Sequence, residues 1–362
     1  MQIKSYYQKY GGNIQLKKQK YITIASLALF ATLLTGCNIV HPSASAKSST
    51  HSSAAKLKTP AGPLPGDMLI ADRGNDRLLI VSPTKKILWS MKIGNGSGPH
   101  NANSLGADDA FLTPDHKHII INEENNNTID IIDIATKKIV WSYGHPGVAG
   151  SAKGYLNTPD DAYEFPNGIV TVADIKNQRI LFVNQKGQIV KQYGQTGVMK
   201  HNPPIDFTAP NGDTPIPGGG LLVTEINGAY ADRLTASGKL VYSVHLPGLT
   251  YPSDTQLLPN GNLLVADYNT PGTVEEVTPQ GKLVWRYQKL SGTGELSNPS
   301  LAIRLPNGMI AVNDDYHDRV VIINPKTNKI VWQYGHFNQK GTAAGYLNVP
   351  DGIDFIPIGT QL

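Results

Sequence analysis

Cysteine is nearly missing from this chain of 362 residues, which has one, Cys37. A disulfide framework and a thiolate metal cluster are therefore excluded, and a long domain buries enough surface to hold together without them. Charge is sparse at 17% of residues and aromatics are few at 7%. No apolar run reaches the ~20 residues that span a bilayer comfortably. Helical periodicity is almost absent, and so are a Ser-nucleophile elbow, a P-loop and a Rossmann fingerprint. The formal charge of +4 is misleading, because residues 1–60 hold eight lysines and no acid. Removing those eight from 32 Lys+Arg leaves 24 against 28 Asp+Glu, so the remainder is mildly acidic. That balance gives no basic face for a nucleic acid, and no nucleic-acid partner is expected.

What is present begins with an export pattern. The Lys-rich start through Lys20 is followed by the short apolar run Tyr21 to Leu34, the layout of a signal peptide. Directly after come Leu34, Thr35, Gly36 and Cys37, which resemble a bacterial lipobox. That resemblance implies cleavage before Cys37 and a lipid on its thiol. Residues 37–61 are rich in Ser, Ala and Lys with few large apolar groups, a composition that reads as a flexible tether. The expected order is a cleaved signal peptide over 1–36, a lipid-anchored tether over 37–61, and one folded domain over 62–362. The expected location is the bacterial cell envelope, with the lipid on Cys37 in a membrane and the domain, a monomer, outside the cytoplasm.

The domain is a repeat. Trp89, Trp141, Trp285 and Trp332 all end an apolar pair, and Lys191 and Tyr242 fill the same slot elsewhere. The slots are 52, 50, 51, 43 and 47 residues apart, a blade-like period. A proline opens each unit (Pro159, Pro210, Pro252, Pro299, Pro350), with Ala107 in the odd place. Turns such as Pro166-Asn-Gly168 and Pro306-Asn-Gly308 supply the positive φ of a hairpin. An apolar strand ending in an acid follows, at Asp72, Glu123, Asp174, Glu225, Asp267 and Asp314. The first unit lacks its opening strand and the chain finishes with a spare one from Pro350. The pattern predicts an all-β, six-bladed β-propeller with four antiparallel strands per blade, the first blade closed by the C-terminal strand.

The runs Ala71-Asp72 to Arg77, Ala173-Asp174 to Arg179 and Asn313-Asp314 to Arg319 resemble the NHL repeat. The Gly281-Lys-Leu-Val-Trp285 element is similar to the tryptophan segment of PQQ-like, quinoprotein-type propellers. The two resemblances cover about residues 62 to 358 and imply a fold that hosts binding modules, lyases, lactonases and oxidoreductases alike. A quinone cofactor is not expected, because quinoproteins usually have eight blades and often a vicinal cysteine pair.

The six repeated acids and four Trp residues read as structural, the acids holding loops and the indoles packing blades together. Function is expected where the repeat breaks. Connections after blades 6, 1, 2 and 3 run 16 or 17 residues, against 12 and 8 for the other two, predicting a wall around an off-centre cleft. The binding-face candidates are His100, His145, Tyr155, Asp160, Asp161, His201, His317, His336, Tyr346 and Asp351. Asp109, Asp161, Asp254 and Asp351 open the inner strands, and such clustered carboxylates favour a cation, with Ca²⁺ the candidate at the channel mouth. The leading expectation is a non-catalytic envelope module that binds a protein, glycan or small solute on its loop-rich face. A metal-dependent lactonase- or NHL-lyase-like enzyme is the alternative, and a PQQ-type oxidoreductase comes last.

Overall fold

A computed structural model describes residues 62–93 and 106–362. The export signal, the lipobox with Cys37, the tether and His100 lie outside the described residues. Six four-stranded antiparallel sheets form the expected propeller, built from local hairpins in five blades. Blade 1 is split: Pro350–Pro357 supplies its innermost strand and pairs along the whole of Gly66–Asp72. Arg77–Val81 and Ile87–Lys92 complete it.

Burial follows from the architecture. Second and third strands are covered on both faces by neighbouring blades, so Leu263–Asp267 and Ile310–Asp314 are buried at every position. Outer strands alternate instead, as in Lys138–Gly144, where Ile139, Trp141 and Tyr143 face inward and Val140 faces solvent. The Trp slots lock one blade to the next. Trp89 Nε1 donates to Ile134 O at 3.0 Å, Trp285 to Pro325 O at 3.1 Å, and Trp332 to Pro83 O at 3.1 Å, each across a blade boundary. Lys191 reproduces the contact where the Trp is missing, its Nζ reaching Ala236 O at 3.2 Å.

The repeated acid binds its own loop in the same way around the ring. Asp174 accepts Asn177 Nδ2 at 2.8 Å, Arg179 Nε at 2.7 Å and the Asn157 amide at 2.7 Å. Asp72 and Asp314 receive Arg77 and Arg319 likewise, at 2.5 and 2.7 Å. Asp267 accepts the Thr250 and Tyr251 amides, and Glu123 accepts Asn126 Nδ2 at 2.7 Å.

Two boundaries differ from the sequence pattern. Opening strands start at the proline in blades 3, 4, 5 and 1, but at Ala110 in blade 2 and Ala302 in blade 6. Those two blades carry an Asn just before the repeated acid. Asn122 Oδ1 accepts the Asp109 amide at 2.9 Å, and Asn313 Oδ1 accepts the Leu301 amide at 2.6 Å. The side-chain amide takes the place of a ladder bond, so regular pairing begins later.

Candidate ligand site at the channel mouth

The opening strands line the central channel, and the residue after each opening position points to its mouth. Around the ring these are Asp108, Asp160, Asn211, Ser253, Ser300 and Asp351, and all six line one cavity of about 140 Å³. A second tier comes from the residue after each repeated acid: Arg73 from blade 1, Glu124 from blade 2 and Tyr268 from blade 5 line the same cavity, with Tyr251 and Asp109. Two neighbouring positions of a repeat, varied blade by blade, thus compose the site.

Its charge is one-sided. Among the described residues, Arg73 is the only cation lining the cavity, against five carboxylates. Its guanidinium meets Asp351 Oδ2 at 2.5 Å and Glu124 Oε2 at 2.7 Å, and also pairs with Asp108. Burial opposes the charge on Arg73, but Asp108, Asp351 and Glu124 outweigh it and hold the group charged. Burial would raise Asp351 too, yet Arg73 draws its carboxyl below the usual range. Asp108, Asp109 and Asp160 are pushed well above that range, by burial first and then by neighbouring acids. Burial and carboxylate neighbours act in the same direction on Asp161, a level deeper. Asp254 reaches about 6, burial outweighing hydrogen bonds from Thr214, the Thr255 amide and Tyr163. Two glycines make this crowding possible. A Cβ on Gly212 would sit 2.2 Å from Asp254 Oδ1, and one on Gly352 would sit 2.8 Å from Asp109 Oδ1.

Within the cavity Asp108, Asp109 and Asp160 each offer a carboxylate oxygen, all within 4.8 Å of one another. Beside them Asn211 is 3% exposed, and its Oδ1 accepts no hydrogen bond although Nδ2 donates to Ser253 Oγ at 3.1 Å. Three carboxylates, an amide oxygen and hydroxyls are an all-oxygen donor set of the kind hard cations such as Ca²⁺ take. Of the acids that sequence reading grouped for a cation, Asp109 belongs to this trio. Asp351 is committed to Arg73, and Asp161 and Asp254 lie deeper.

Among the described residues, the mouth cavity is lined by all six blades and not by blades 6, 1, 2 and 3 alone. Nor do the described histidines converge on it. His145 stacks on Tyr155 at 3.9 Å and His336 packs on Tyr346 at 4.3 Å, each inside its own loop. His317 bonds Asp314 at 3.0 Å and packs on Phe337, and His201 bonds Glu225 at 2.7 Å. The long loops are pinned from below, Arg179 Nη2 donating to Tyr155 O and Arg77 Nη2 to Tyr346 O. Sequence reading missed Arg73, Glu124, Asn211, Tyr251, Ser253, Tyr268 and Ser300. Aligning the positions after each opener and each repeated acid is the signal that finds most of them.

Comparison with known proteins agrees with this architecture. Residues 166–348 match the family model described as outer membrane protein assembly factor BamB, a PQQ-like repeat family. No curated protein sequence matches the chain. Among solved structures, a protein of unknown function from Bacteroides caccae is similar over 80% of this chain and 97% of that one, at 20% identity and a TM-score of 0.56. A chain of a nidogen/laminin complex covers 79% and 97% at 14% identity and a TM-score of 0.55. A streptogramin B lyase covers 76% and 80% at 16% identity and a TM-score of 0.51. At these identities the likenesses carry the fold and leave the chemistry to the site. With the family match spanning half of its length, the chain belongs to the PQQ-like propeller family represented by outer membrane protein assembly factor BamB.

Proposed function

We propose that this protein is an envelope lipoprotein whose propeller binds a hard divalent cation, of the Ca²⁺ class, at the channel mouth. The observation that carries the reading is the carboxylate trio of Asp108, Asp109 and Asp160 beside the unpartnered Asn211 Oδ1. One Arg does not balance this set, and buried carboxylates at such spacing repel unless a proton or a cation intervenes. An ion held there would leave room toward the solvent end of the cavity for an anionic or hydroxyl-rich solute. The volume of about 140 Å³ suits an ion with its waters or a small solute.

Titration of the metal-stripped protein with Ca²⁺ tests this. The expected result is saturable binding with a higher melting temperature, since an ion at 100 times its Kd adds about 2.7 kcal/mol. The double variant Asp109→Asn with Asp160→Asn should lose both effects. Wild-type protein whose melting temperature and calorimetric heat ignore millimolar Ca²⁺ and Mg²⁺ would sink the reading.

The anchor is supported by the Lys-rich start, the apolar run and the Leu34–Cys37 motif. Cells fed an alkyne-tagged fatty acid should label the wild-type protein in the membrane fraction and leave Cys37→Ala unlabelled. Equal labelling of the two, or none in either, speaks against a lipid on Cys37.

A further inference from the structure

We propose that His201, Glu225 and Asp232 form a second metal site, on blade 4 away from the mouth, for a transition-metal dication of the zinc class. The repeat breaks in blade 4. In blades 1, 3 and 6 the repeated acid pairs with an Arg five residues on (Arg77, Arg179, Arg319). Two residues beyond each Arg stands an apolar residue: Leu79, Leu181 and Val321. Blade 4 replaces the Arg with Tyr230 and the apolar residue with Asp232. It has lost a cation and gained a carboxylate where both Glu225 and Asp232 are fully buried. Blade 5 carries the same added acid, Glu275, and answers it with Arg286. Blade 4 answers with His201, brought in by the long loop after blade 3.

The geometry is that of a ligand set. His201, Glu225 and Asp232 each present a donor atom within 4.8 Å of the other two. His201 Nδ1 is 2.7 Å from Glu225 Oε1, while Nε2 is 3.1 Å from Ser243 Oγ. The Tyr230 ring stacks on the imidazole at 3.7 Å and fixes its plane. A ring nitrogen held from behind while the other faces carboxylates is the usual posture of a metal-binding histidine. Asp232 is fully buried, and neither of its carboxylate oxygens meets a donor in full hydrogen-bond geometry, its polar neighbours being Glu225 and Ser243. A buried carboxylate short of donors is costly, and a dication removes that cost.

Donor chemistry selects the ion. One imidazole and two carboxylates suit Zn²⁺ or a neighbouring first-row ion, whereas Ca²⁺ takes oxygen alone. Metal–ligand distances of about 2.0–2.2 Å need the His201–Glu225 pair to part by only some tenths of an ångström. The His201 side chain is 28% exposed, so the ion has a way in, and a fourth position stays open to water.

The test is calorimetric titration of the metal-stripped, full-length protein with Zn²⁺, and with Co²⁺ followed by its visible absorption. One tight Zn²⁺ per chain is expected, with Co²⁺ bands of tetrahedral intensity. His201→Ala and Asp232→Asn should each weaken binding at least 100-fold. Asp109→Asn with Asp160→Asn should leave it unchanged, which separates this site from the mouth. Asp232→Asn keeps the side-chain shape and relieves a buried charge, so it serves if His201→Ala fails to fold. The proposal is overturned if wild-type protein takes up no stoichiometric Zn²⁺, or if the variants that fold bind it as tightly as wild type does.

Discussion

A chain ending at Val349 is expected to lose its cooperative fold. The missing segment is the inner strand of blade 1, paired with Gly66–Asp72 from Gly66↔Pro357 to Asp72↔Pro350. Ile353 is 0% and Ile356 1% exposed, and losing two such side chains costs about 4–10 kcal/mol on the scale of core truncations. The same cut removes Asp351 from Arg73, Asp354 from the Leu112 amide at 2.9 Å, and the Asp351 carbonyl from Ser300 Oγ at 2.6 Å. Domains of ordinary stability hold roughly 5–15 kcal/mol in all, so little is left. Thermal melts by circular dichroism, with gel filtration, provide the check. A truncated monomer melting cooperatively within a few degrees of the full chain would show that the ring does not depend on its closing strand.

Replacing Arg73 with alanine should produce the next largest effect, a loss of roughly 3–5 kcal/mol at pH 8, as when one partner of a buried ion pair is removed. Arg73 touches Asp108, Glu124 and Asp351 at once and, among the described residues, is the only cation lining the cavity. The pH dependence has a definite sign. Asp351 lies below its ordinary range in the folded protein, so it contributes stability above the normal carboxyl pKa that is lost as pH falls through the lowered value. Without Arg73 the same burial penalises its charge, and the stabilising group becomes a destabilising one as pH rises. The gap between variant and wild type should therefore widen from about pH 4 upward. Millimolar Ca²⁺ should narrow it by supplying the missing positive charge. Coincident melting temperatures from pH 5 to 9 would refute this account of the mouth.

The ring was readable in the sequence because its determinants are local and repeated. The Trp slot, the Pro-Asn-Gly turn and the strand-ending acid recur every forty to fifty residues, and the unpaired segment after Pro350 announced the closure. The site was readable only in part. Asp160 and Asp351 stood out because a carboxylate after an opening proline needs a reason to be there, and Asp109 because it holds the same inner-strand position as Asp161. Arg73 and Glu124 did not, since one charged residue after a repeated acid looks like an ordinary loop position until the ring brings six such positions together. The described histidines stand away from the cavity for a different reason. Loop length placed His145 and His336 near the mouth, but each has an aromatic partner ten residues on, Tyr155 and Tyr346, and that short-range stacking won. His201 drew notice as a rim residue, while its meaning came from Asp232, a single acid inside a strand that reads as ordinary core.

The split blade also sets the order of events in folding. Blades 2 to 6 are each made from one contiguous stretch, so their hairpins can form from nearby residues alone. Blade 1 joins opposite ends of the domain, and its last strand arrives only when the rest of the chain is in hand. Long-range pairings of that kind are the slow ones. Until it forms, Gly66–Asp72 is an apolar strand with one bare edge, the kind of template that recruits a second copy. The hazard for this protein is therefore a matter of timing: the interval before closure, more than the finished ring, is where a chaperone would be needed and where aggregation would begin.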